Sequence, residues 1–101
     1  MSTKSVTITY AGGSGGTLTP GSITATGGDK VDFTADGSKV TVTFPDDRIF
    51  GVEHVSVGDG TTETLTVQQN PPTGEFDCPV HCHEVRGGAE TTPDLEIGIG
   101  S

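Results

Sequence analysis

Hydrophobic and polar residues alternate along short stretches throughout this chain. The clearest stretch is residues 39–44, in which Val40, Val42 and Phe44 alternate with polar residues. A period of two is typical of a β-strand that buries one face, because successive side chains of a strand point to opposite sides. No stretch shows the spacing of three to four residues that an amphipathic helix requires. The pattern therefore predicts an all-β protein.

Stretches of this kind recur along the whole chain and are separated by turns rich in glycine, proline and aspartate. They predict about eight strands, at residues 6–10, 22–26, 30–35, 39–44, 52–57, 63–69, 75–80 and 94–99. Their regular spacing indicates an antiparallel Greek-key β-sandwich. The turns at Asp36-Gly37 and at residues 58–60 predict two hairpins. Residues 12–16 and 87–93 are poor in hydrophobic side chains and are predicted to be loops.

Alternation also predicts which side chains face the core. Because the chain has only 101 residues, we expect one domain that spans residues 1–101. The residues predicted to fill its core are Val31, Phe33, Val40, Val42, Phe44, Leu65, Val67, Phe76, Leu95 and Ile97.

The net charge of the chain indicates which classes of molecule are expected to bind it. Acidic residues outnumber basic ones 14 to 5, and the formal net charge is −9. Nucleic acid and anionic membrane surfaces would be repelled, so neither is an expected partner. The charge serves solubility, or it attracts cations or a basic protein. No signal peptide is visible, so we expect a cytoplasmic protein if the chain is complete and an exported one if a leader has been removed.

The residues with metal chemistry are concentrated in one short segment. Residues 78–83 contain both cysteines, Cys78 and Cys82, and two of the three histidines, His81 and His83. Thiolate and imidazole together suit copper and zinc. One ion is not expected to use all four groups, because a segment this short cannot fold all of them around one centre. The third histidine, His54, is predicted to point to solvent or to lie at an edge.

Three stretches of the chain resemble the cupredoxin family. Residues 74–81, Gly-Glu-Phe-Asp-Cys-Pro-Val-His, resemble the Gly-x-aromatic-x-Cys-x-x-His run of that family. Residues 28–33 are similar to its Gly-Asp-x-Val-x-aromatic strand, and residues 39–44 resemble the strand that carries its first histidine ligand. The resemblance covers residues 22–99 and implies a cupredoxin-like sandwich with a copper site used for electron transfer.

The resemblance assigns ligands and also shows departures from the family pattern. Cys78 would be the thiolate ligand and His81 the imidazole ligand of the same loop. Val40 occupies the position of the first histidine. The only methionine is the first residue of the chain, and Glu84 falls where a close spacing would place the axial methionine, with His83 one residue earlier. A trigonal site of two histidines and one cysteine, as blue copper requires, is therefore not expected in its usual form.

Three interpretations remain open at this point. In the first, Cys82 or His83 replaces the missing ligands, and the segment binds copper or zinc in a site that is not of the blue type, for electron transfer or metal handling. In the second, the domain is a metal-free sandwich that serves as an interaction or assembly module with a protein partner. In the third, Cys78 and Cys82 form a disulfide, which would need an oxidising compartment. No nucleophile with an orienting base and acid is recognisable, so we do not expect an enzyme.

Overall fold

The computed structural model describes residues 2–10, 16–83 and 92–100. Within these ranges the chain forms ten strands and no helix, so no helix is long and apolar enough to cross a membrane. The all-β prediction is confirmed. Glu84 and most of the two predicted loops lie outside the described residues. The strands are β1 (Thr3–Tyr10), β2 (Gly16–Thr19), β3 (Ser22–Ala25), β4 (Lys30–Asp36), β5 (Val40–Thr43), β6 (His54–Val57), β7 (Thr62–Thr66), β8 (Gly74–Cys78), β9 (Val80–Cys82) and β10 (Leu95–Ile99).

The strands form two layers of a β-sandwich. One layer is a four-stranded sheet with the order β2-β1-β4-β7. The other consists of two three-stranded sheets, β3-β10-β8 and β6-β5-β9. Strands β8 and β9 are separated only by Pro79, which cannot donate a main-chain hydrogen bond. The chain changes partner at this residue, from β10 to β5, and the Pro79 carbonyl accepts a hydrogen bond from the N–H of Thr43 at 2.9 Å.

Two strand pairs are parallel, although the alternation pattern had predicted an antiparallel sandwich. Strand β1 runs parallel to β4, and β10 runs parallel to β3. The structure also contains two strands beyond the predicted eight, because β2 was not recognised and the predicted strand at residues 75–80 is divided at Pro79. Direction is not encoded in alternation, since a strand buries the same face whichever way its neighbour runs.

Both predicted hairpins are wrong. Strands β4 and β5 belong to different sheets, and so do β6 and β7. Each connection therefore crosses from one layer of the sandwich to the other. Gly37 makes the first crossing with a φ of 97°, and its N–H donates to the carboxylate of Asp59 in the second connection at 2.8 Å. A crossing and a hairpin give the same alternation, because in both cases the two strands face one core.

The core lies between the two layers and agrees closely with the prediction. Of the ten predicted core residues, all are buried except Leu65 and Phe76, which are partly buried and pack against the core. Phe44 and Phe50 have ring centroids 4.7 Å apart, and each lies 6.0 Å from Phe33. Phe50 and its buried neighbour Ile49 were not predicted, because the segment before β6 shows no alternation.

Candidate functional site

Strand β9 places its thiol and its imidazole on opposite faces. Val80 and Cys82 are buried, whereas His81 between them is exposed. The main-chain N–H of His83 donates to the carbonyl of Lys39 at 2.9 Å, which continues the β5–β9 pairing by one residue and leaves the His83 side chain exposed like that of His81. The structure thus brings the two histidines together and separates them from the buried cysteine.

Cys78 is also in the core, at the end of β8. It lies opposite Leu95 of β10, and none of its surface is exposed to solvent. Burial raises the pKa of the Cys78 thiol to about 12, and the negative charges of Asp77 and Asp94 act in the same direction. The Cys78 S–H donates weakly to the Phe76 carbonyl, with 3.9 Å between sulfur and oxygen. Burial and the neighbouring carboxylates thus both favour the neutral thiol form of Cys78.

Gly16, the first residue of β2, lies close to the Cys82 side chain. The Cys82 sulfur lies 3.6 Å from the hydroxyl oxygen of Thr92. A Cβ atom on Gly16 would lie 2.7 Å from that oxygen and 3.1 Å from the sulfur, so a larger residue at this position would require the Thr92 side chain to move. Both cysteines of the chain are free, and no disulfide joins them.

The two exposed imidazoles lie side by side. The ring centroids of His81 and His83 are 4.8 Å apart, with 68° between the ring planes. The Nε2 atom of His83 is 2.8 Å from the Thr41 hydroxyl on β5, which in turn lies 3.3 Å from the hydroxyl of Ser56 on β6. When Nε2–H donates to Thr41, the Nδ1 atom of His83 keeps its lone pair and points it away from that bond.

All three histidines of the chain share one surface. His54 lies on β6 opposite Thr43 and is exposed, as the sequence predicted. We call the outward side of the β6-β5-β9 sheet the histidine face. Its members are Thr41, Thr43, His54, Ser56, His81 and His83. Sequence reasoning treated His54 as isolated, and only the order of the strands could have placed it beside the pair.

The carboxylates of the other three-stranded sheet form a second polar cluster, which the sequence did not reveal. Glu96 of β10 lies opposite Asp77 of β8. The protonated Glu96 carboxyl donates a hydrogen bond to the neighbouring Glu75, and this bond, together with the negative charge of Glu75, raises the pKa of Glu96 above its ordinary value. This cluster occupies exposed positions of β8 and β10, a different sheet from the histidine face.

Within the part of the chain that the structure describes, the histidines and cysteines do not come together as two histidines and one cysteine of a blue-copper centre would. Val40 faces inward as alternation predicted, but it lies opposite Cys82, and the neighbouring His81 points to the other side of the sheet. Across residues 2–10, 16–83 and 92–100, no group of three or more histidine, cysteine, aspartate or glutamate side chains is arranged to hold a metal ion.

Comparison with solved structures supports the fold. The chain is similar to two variants of amicyanin, a cupredoxin, each at 14% sequence identity over 97% of this chain and 82% of the other. One is the reduced Cu(I) form of an amicyanin variant at pH 4, with a TM-score of 0.56, and the other is the reduced state of a second variant, with a TM-score of 0.57. No protein-family model matches the sequence, and no curated protein matches it either. The fold is therefore cupredoxin-like.

Proposed function

We propose that this cupredoxin-like domain binds copper(II) or zinc through the imidazoles of His81 and His83 and that it takes part in metal handling. The observation that carries the proposal is the spacing of the two exposed rings, whose centroids are 4.8 Å apart. With metal–nitrogen bonds of about 2.0–2.1 Å and a tetrahedral angle, two imidazoles on one ion have ring centres about 5 Å apart. Both side chains are exposed, so the rings are free to turn one nitrogen each toward a common ion.

The chemistry of such a pair favours metal handling over blue-copper electron transfer. Two imidazoles leave further coordination positions open to water or to another donor, and an exposed ion exchanges ligands readily. A long-lived copper–thiolate bond is what distinguishes blue-copper sites. Cys78 at the end of β8 is buried in the core. Cys82 lies on the inner side of β9, so it could join His81 and His83 only if that strand turned over, which would expose the core face.

A titration with copper(II) or zinc, followed by calorimetry, tests this proposal. Alanine at His83 is expected to weaken binding at least tenfold, because one of the two ligands is lost. His54→Ala is the matched control, since it removes an exposed imidazole of the same face that is not part of the pair. An unchanged affinity in His83→Ala would show that the pair is not the site.

The same titration separates the proposal from the site that the sequence predicted, in which Cys78 and His81 are ligands and Cys82 or His83 replaces a missing one. If thiolate ligation dominates, Cys78→Ala abolishes binding, because the thiolate is the strongest ligand available. If the histidine pair is the site, Cys78→Ala retains the wild-type affinity and loses only core packing.

The second candidate function is a metal-free interaction module, as the sequence analysis allowed. The burial of Cys78 and Cys82 favours it, because buried free cysteines act as small apolar side chains. Protein that is purified without added metal and contains none, and that does not bind copper(II) or zinc in the titration, would support this alternative. With either function we infer that Cys78 is not a catalytic nucleophile, since it is fully buried and a thiol with a pKa of about 12 is a poor nucleophile.

A further inference from the structure

The histidine pair supplies only half of the ligands that a tetrahedral zinc ion takes. Zinc is almost always four-coordinate in structural sites, with nitrogen or sulfur donors. We infer that two copies of this chain share one zinc ion across the histidine face, each contributing His81 and His83. This inference rests on the proposed function, because it uses the same two side chains.

The charge distribution selects this face for contact between two copies. A chain with a formal net charge of −9 repels a second copy over most of its surface. The outward positions of β5, β6 and β9 carry only threonine, serine and histidine, within the part of the chain that the structure describes. Charged residues lie at both ends of the face. Lys39 is opposite His83 at one end, and Asp46, Asp47 and Glu53 line a depression with Thr43 at the other. The middle of the face is therefore uncharged, and a bound cation offsets part of the negative charge of the two chains.

Symmetry makes the arrangement self-consistent. In a dimer with a twofold axis, the same patch of both copies forms the contact. A zinc ion on that axis receives two imidazoles from each copy and reaches four nitrogen ligands. The other members of the histidine face are small polar side chains, such as Thr43 and Ser56, which bury little apolar surface. The contact should therefore depend on the metal, and the chain should be a monomer without it.

Sedimentation velocity at increasing zinc-to-protein ratios tests the inference. In EDTA we expect the mass of one chain, 10.3 kDa. With half an equivalent of zinc we expect twice that mass, because one ion serves two chains. In a tenfold excess of zinc the dimer should dissociate, since each copy then holds its own ion. His83→Ala should remain monomeric at every ratio, and His54→Ala should dimerise like the wild type.

The possible results separate this inference from the proposed function. If zinc binds at one equivalent per chain and the protein stays monomeric at every ratio, the shared site is overturned and the histidine pair stands. If zinc does not bind at all, the shared site is overturned, and the proposed function is overturned with it when copper(II) also fails to bind. If His83→Ala still dimerises with zinc, another surface forms the contact and the inference is wrong.

Discussion

Thr41→Val tests whether the hydroxyl beside His83 prepares that ring for a metal. The Thr41 oxygen lies 2.8 Å from Nε2 of His83, and valine replaces this oxygen with a methyl group of similar size. In the tautomer in which Nε2–H donates to Thr41, this hydrogen bond keeps the lone pair on Nδ1, the nitrogen that is then free to bind metal. Without the Thr41 oxygen as acceptor, the His83 ring can rotate and exchange tautomers. A part of the protein molecules then no longer presents the Nδ1 lone pair to the metal.

The expected loss of affinity is about tenfold. Removing the hydrogen-bond partner of a ligating histidine costs 10–100-fold in metal affinity, and we expect the lower end because the ring of His83 is exposed and water can replace part of the bond. A tenfold loss corresponds to about 1.4 kcal/mol of binding free energy. The free energy of unfolding should change by less than about 0.5 kcal/mol, since valine favours strands and Thr41 is only half-buried.

Isothermal titration of zinc into both proteins measures this difference directly. Thr43→Val is the matched control, because Thr43 lies on the same strand and the same face but opposite His54. It should bind zinc like the wild type. Equal affinity in Thr41→Val and the wild type would refute the argument, and so would an equal loss in both variants, since that would indicate a general effect of the face.

Three further predictions concern the fold. Val40→His should lower the free energy of unfolding by about 2 kcal/mol, because it places a polar ring at a fully buried position opposite Cys82. The variant should show no copper–thiolate absorption band, and such a band would restore the blue-copper interpretation. Gly37→Ala should destabilise the protein in urea unfolding by more than Gly60→Ala. Both glycines have a positive φ, but a Cβ atom at Gly37 would collide with a main-chain oxygen of β1, whereas nothing lies within 4 Å of a Cβ atom at Gly60. Hydrogen bonds from main-chain N–H groups lower the pKa of Asp29 below its ordinary value of 3.8. The stability that these bonds contribute is therefore present above pH 3.8 and is lost as the pH falls further. Asp29→Asn should remove this loss in acid unfolding, and an unchanged acid transition would contradict the prediction.

The sequence predicted the position of most strands but not their partners. Alternation at residues 30–35 and 39–44 correctly identified β4, β5 and their buried faces. The same alternation could not show that these strands lie in opposite sheets, because a residue faces the same core from either layer. The turn residues Asp36-Gly37 are equally compatible with a hairpin and with a crossing between layers.

The sequence identified the segment that contains the candidate site, and its alternation could have separated the histidines from the cysteines. Cys78, His81, Cys82 and His83 were treated as members of one loop. The alternation of Val80, His81 and Cys82 already contained the signal that His81 faces away from its neighbours, provided that the segment is a strand. The pairing of β9 with β5 supplies that condition, and it is a contact between residues far apart in the chain.

In the strands that alternation identified, the inward or outward direction of the side chains was thus determined by the sequence alone, because the period of a strand is a local property of the backbone. The neighbours of each outward side chain were decided only by the tertiary structure. Thr41 reaches His83 across 42 residues, and His54 joins the same face because β6, β5 and β9 are adjacent in one sheet. Which strands are neighbours depends on the arrangement in which all of them together bury the core. A local sequence pattern does not contain that information.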